Sequence, residues 1–151
     1  MSDDDEPRRA GLWAAFPLLA LPVLFYNLTA LISLEGGFRA LDASARLGGA
    51  VLSVPMASGA LWILSTGDVL VITALFVLFI ELLKSTTTRG TAIVNHGLSM
   101  LLFIVCLMQF LLLEAFATSS FFLITLMVLL DVLAGFIVSI VAARRDFSVG
   151  E

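Results

Sequence analysis

The chain holds one cysteine, Cys106, and one histidine, His96, among its 151 residues. A disulfide within one copy needs two cysteines, a Cys/His zinc cluster needs several such ligands, and bis-histidine haem ligation needs two histidines. All three are therefore closed to a single chain. Charge is scarce too. Asp, Glu, Lys and Arg make up 13% of the residues, about half the roughly 25% of soluble domains. No basic patch interleaved with aromatics occurs, so the electrostatic footprint of a nucleic-acid binder is missing. HExxH, a Gly-rich phosphate loop ending in Lys, and CxxC are also absent. A nucleophile needs a base within reach, and His96 lies about 15 Å along one helix from Cys106 at 1.5 Å per residue. Neither catalysis nor a bound cofactor or metal is expected.

What the chain has in abundance is apolar sequence, 60% of all residues, gathered into four long runs. About 20 helical residues cross a bilayer core. The expected fold class is therefore all-α, an integral membrane four-helix bundle with spans at about 11–34, 66–84, 93–117 and 119–143. One membrane domain, 11–143, would sit between an acidic tail, 1–10, and a C-terminal tail, 144–151. Asp3, Asp4, Asp5 and Glu6 account for the formal net charge of −4.

The first run, Ala10 to Leu34, is longer than the 7–15 residues or so of a signal-peptide core, and Leu34-Glu35-Gly36-Gly37 follows it instead of a small-x-small cleavage site. An uncleaved helix is expected, kinked at Pro17 and Pro22 wherever neighbours re-satisfy the freed backbone groups. The sequon Asn27-Leu28-Thr29 lies inside this apolar run and is read as coincidence. Ser65-Thr66-Gly67-Asp68 has the spacing of a capping box at the start of the second span. Only Ala117-Thr118-Ser119 separates the third span from the fourth, which predicts a tight antiparallel pair.

Between the first two spans, Arg39, Asp42 and Arg46 share one helical face while Phe38, Leu41 and Ala45 share another. This predicts a short amphipathic helix over 37–47, flat on the outer membrane surface. Gly48 to Leu64 is apolar but short, with Pro55 and Gly59 inside it. It could be an interfacial segment, a re-entrant one or a fifth span. Basic residues favour the cytoplasmic side. With four spans Arg8, Arg9, Lys84, Arg89, Arg144 and Arg145 are inside, and only Arg39 and Arg46 are outside. A fifth span reverses that ratio. Four spans, both termini cytoplasmic, in a bacterial inner membrane is the resulting expectation. Trp13 and Trp62 would then lie at the two headgroup regions.

Polar residues within the spans are few and patterned. At 100° per residue Asn95, Ser99, Cys106 and Gln109 fall within about 80° on the third span, and Asp131, Gly135, Ser139 and Ala142 do so on the fourth. Small residues at such spacing let helices approach closely in lipid. Asp131 sits between Leu130 and Val132, and a carboxylate at that depth costs a few kcal/mol and marks a functional hypothesis. Counting from the turn places it level with about residue 104, where Gln109, Asn27, Tyr26 and Thr73 are candidate partners. No second mid-membrane acid or base is apparent. Glu81 and Lys84 are expected to form an interfacial ion pair, Asn95 to cap its helix beside His96, and Asp68 and Glu114 to be solvated.

Two functions follow. The first is a non-catalytic accessory or assembly subunit of a membrane complex, in which the two stripes glue helices within a homo-oligomer or against other membrane subunits. The alternative is a small homo-oligomeric proton- or cation-coupled transporter that titrates at Asp131. The bilayer is a partner in either case, and nucleic acid in neither.

Overall fold

Pro17 interrupts the first apolar run. Its ring removes a donor and clashes with the preceding turn, so in the computed structural model, which describes residues 15–32, 40–87 and 92–148, helix α1 runs only from Ala20 to Ile32. Its 13 described residues rise about 20 Å. The expected single helix over 11–34 is corrected at Pro17, where the chain breaks before α1. Pro22 falls in the first turn of α1, where a missing N–H costs little. It does not interrupt the helix.

After α1 come α2 (Ala40–Leu47), β1 (Ala50–Pro55), β2 (Leu61–Ser65), α3 (Thr66–Thr87), α4 (Ala92–Leu112), a 3-10 turn (Glu114–Phe116) and α5 (Ser119–Ser148). Among the described residues, three segments are long and apolar enough to cross a membrane: Thr66–Ser85, Val94–Leu112 and Ser119–Val138. The tail 1–10, Trp13, Phe38, Arg39 and Arg89 lie outside the described residues, as do the side chains of Leu41, Asp42, Ser139, Ala142, Arg144 and Arg145.

The short helix α2 forms where expected, but Leu47 is the side chain it buries while Ala45 is exposed. The following apolar segment is neither a helix nor a fifth span. It is an antiparallel hairpin, with Val54 opposite Trp62 and Ser53 opposite Ile63, and an irregularity between Ala50 and Leu52. Met56 and Ala60 close the turn through a 2.9 Å bond from Met56 N to Ala60 O. Gly59 there has φ +84°, a conformation that glycine adopts without a Cβ penalty. Pro55 sits at the strand end, where a two-stranded ribbon tolerates it. Both faces of the hairpin are largely exposed, including Val51, Leu52, Leu61, Trp62 and Ile63.

The chain turns from β2 directly into α3 through the predicted capping box. Ser65 N and Oγ donate to Asp68 Oδ2 at 2.9 and 2.6 Å, and Asp68 N donates to Ser65 Oγ at 3.2 Å. Gly67 then lets α3 meet α5, since a Cβ there would lie 2.6 Å from Ser120 Oγ.

At the same end, Tyr26 of α1 is fully buried among Phe116 and Phe121, with ring centroids 5.4 and 4.6 Å away. Its hydroxyl lies 3.1 Å from Ala115 O, to which it donates, and 2.6 Å from Thr118 Oγ1. Thr118 Oγ1 in turn accepts from Phe121 N in the first turn of α5. Packing and capping are thus joined at one corner. Leu19, Ile124 and Val128 extend this core down the bundle.

Candidate functional site

The polar residues gather at the opposite end of the bundle, where α3 finishes and α4 begins. The Pro17 break leaves the carbonyl of Phe16 and the N–H of Leu18 without helical partners. Two side chains of α3 satisfy them. Leu18 N donates to Glu81 Oε2 at 2.8 Å, and Lys84 Nζ donates to Phe16 O at 2.6 Å. Glu81, fully buried, is also 2.8 Å from Lys84 Nζ through Oε1. Asn95 of α4 completes the group: its Nδ2 donates to Glu81 Oε1 at 2.9 Å and its Oδ1 accepts from Lys84 Nζ at 3.2 Å. A buried charge survives when paired and fully hydrogen-bonded, and this pair is. The expected ion pair exists, but it lies inside the bundle and clamps the N-terminal segment. Asn95 bridges the pair and is not a simple cap.

Asp131 stands beside this satisfied group and is not part of it. Ser85, Asn95, His96, Ser99, Asp131, Gly135 and Val138 line one small cavity. Its free volume is about 10 Å³, on the order of what a single water occupies. Asp131 is 3% exposed and Ser99 1%. Three buried atoms face this space without a hydrogen-bond partner: Asp131 Oδ2, Ser99 Oγ and His96 Nδ1. Ser99 lies near enough to influence the carboxyl, yet outside hydrogen-bonding geometry. Gly135 holds the wall open, because a Cβ at that position would meet His96 Nδ1 at 2.6 Å.

The two sequence stripes are thus divided. Asn95 and Ser99 of α4 meet Asp131 and Gly135 of α5 at the cavity. Cys106 is buried in the apolar core. Gln109 pairs with Asn27 of α1, donating from Nε2 to Oδ1 at 2.7 Å, while Asn27 Nδ2 donates to Val23 O at 2.9 Å. Tyr26 is occupied at the aromatic corner, and Thr73 donates to Val69 O of its own helix at 2.8 Å. None of the four candidate partners bonds to Asp131.

The cause is register. α4 ends at Leu112 and α5 begins at Ser119, so the turn is centred near residue 115 and not 118. Asp131 is then level with about residue 100, near Ser99. Ionisable groups do stand near Asp131: fully buried Glu81 and partly buried Lys84 and His96, from the end of α3 and the start of α4. Their proximity in sequence to the ends of α3 and α4 hid them. The one available signal was the spacing of Glu81 and Lys84 on the apolar face of a helix. Comparison with protein-family models, curated proteins and solved structures finds no match to this chain.

Proposed function

We propose that the chain is an integral membrane protein whose α3–α4–α5 bundle carries a proton- or cation-coupling site at Asp131, in a small homo-oligomeric transporter of the inner membrane. The observation that carries this reading is the cluster of three buried, unpartnered polar atoms around one cavity. Most buried polar groups are satisfied, and those that are not call for a reason. A purely structural aspartate in a membrane helix would be held by a donor from a neighbouring helix. The clamp of Glu81, Lys84 and Asn95 is held in that way, and Oδ2 of Asp131 is not.

Topology supports an orientation. The end of α3, the start of α4 and the end of α5 share one side of the bundle. The Phe16 to Lys84 bond brings the N-terminal segment there as well. Lys84, Arg89, Arg144 and Arg145 belong to this side by sequence, and Arg46 to the other, which favours the cytoplasm for the first. Asp131 lies about 18 Å along α5 from Ser119 at 1.5 Å per residue, nearer the cytoplasmic side.

A second reading, an accessory subunit of a membrane complex, draws support from the hairpin. Two-stranded ribbons are marginal alone, and its exposed apolar side chains suit a cover of lipid or protein.

The test is Asp131→Asn in the native membrane, with mild-detergent isolation of the tagged protein. Asparagine keeps the shape but cannot exchange a proton. The transport reading expects normal accumulation and oligomerisation with loss of the cellular phenotype. A stoichiometric partner, together with an unchanged phenotype in the variant, would replace it with the accessory reading.

A further inference from the structure

We propose that Asp131, Ser99 and His96 form a proton site closed to metal cations, with His96 passing the proton between water at the α3–α4 end and the Asp131 carboxyl. This rests on the reading of Asp131 as a coupling site and narrows what it couples to.

Coordination is the first argument. Hard cations are held by about six oxygen ligands or more. Among the lining side chains, Asn95 has both amide atoms engaged by Glu81 and Lys84, and the hydroxyl of Ser85 donates to Glu81 O at 3.0 Å. Asp131 Oδ2 and Ser99 Oγ are the lining side-chain oxygens that are buried without any partner, fewer than such a shell needs. The space of about 10 Å³ has room for one water, too little for a cation with the several waters needed to fill its shell.

Charge is the second. Lys84 Nζ reaches Asn95 on the cavity wall, which sets an ammonium beside any cation that would enter. The charged and titratable groups facing Asp131 among the described residues are Glu81 and Lys84 from α3 and His96 from α4. The described segment before α1 meets this cluster through the backbone of Phe16 and Leu18. Glu81 and Lys84 are committed to each other, which leaves Asp131 and His96 as the neighbours outside that pair.

Geometry is the third. His96 Nδ1 is buried without a partner and lines the same cavity as Asp131 Oδ2. An imidazole nitrogen can either accept or donate a hydrogen bond. The ring lies against Gly135, where an added Cβ would meet Nδ1 at 2.6 Å, and His96 is itself only partly buried, close to the start of α4.

The experiment uses the full-length protein in lipid bilayers. Dicyclohexylcarbodiimide, which modifies protonated carboxyls in apolar surroundings, is applied across a pH series in sodium chloride and in choline chloride. Peptide mapping separates Asp131 from Glu81. The expected result is labelling of Asp131 that falls as pH rises and is the same in both salts. In His96→Gln, the labelling rate at fixed pH should change by about tenfold, the size of one pK unit of coupling between interacting groups. Protection of Asp131 by sodium would overturn the proton assignment while leaving the transport reading in place. An unchanged profile in His96→Gln would remove the relay. Labelling of Asp131 that stays constant at every pH would sink both the inference and the reading beneath it. The comparison of salts needs no variant and so survives a His96 substitution that fails to fold.

Discussion

Asp131 and Glu81 are both buried acids, and their surroundings set them apart. Glu81 accepts from a backbone N–H, an amide and an ammonium, whereas Asp131 Oδ2 accepts from nothing. Removing one member of a buried, bonded pair strands the other and costs on the order of 3–5 kcal/mol. Glu81→Ala is therefore expected to lower the unfolding temperature of the detergent-solubilised protein sharply, while Asp131→Asn leaves it nearly unchanged. Equal losses in a thermal-shift assay would contradict the division of roles.

Gly135→Ala makes a finer test, since the added methyl must push the His96 ring. Overpacking of this kind costs about 1–3 kcal/mol, and the His96 side-chain resonances should move in an NMR spectrum. Unmoved resonances would mean that the ring does not rest on Gly135. The aspartate was legible in the sequence because a charge inside an apolar run needs no geometry to be noticed. The burial of Glu81 was not, because a pair near a helix end looks interfacial until a broken segment such as 16–18 is seen to bond to it.

At the scale of elements, the hairpin shows most clearly how apolar composition can mislead. An apolar run of this length with a central proline resembles a shallow membrane helix. Its β-branched Val51, Val54 and Ile63, with Gly59 between the two halves, are equally the signal of two strands and a turn. Composition alone favours a helix there, and the local residue types favour strands. The capping box was legible because Ser65 and Asp68 act over three residues and need no tertiary partner. Ser65→Ala should cost about 1 kcal/mol, measured as a shift in the denaturation midpoint. Gly59→Val forces a β-branched side chain into a left-handed conformation, so the amides of Met56 and Gly59 should exchange with solvent faster. Unchanged exchange would mean that the turn does not depend on Gly59. Trp62, half exposed on β2, should be quenched by brominated lipid if the hairpin lies in the bilayer interface, and by aqueous iodide if it does not.

Over the whole molecule, three apolar helices of spanning length are tied at both ends by different means. Tyr26, Phe116 and Phe121 lock one end by packing, and the Glu81–Lys84–Asn95 clamp locks the other by hydrogen bonds. Asp131 lies beyond the clamp, in the part of the bundle where polar groups remain unsatisfied. The central claim is that its carboxyl changes protonation state as part of the protein's work. Its direct test is a pH titration of the isotopically labelled Asp131 carboxyl in lipid bilayers, followed by carbon NMR with Asp131→Asn as the assignment control. Reversible protonation and deprotonation within the pH range of the living cell is the result predicted. A carboxyl that holds one state throughout that range, in a protein whose fold is intact, would contradict it.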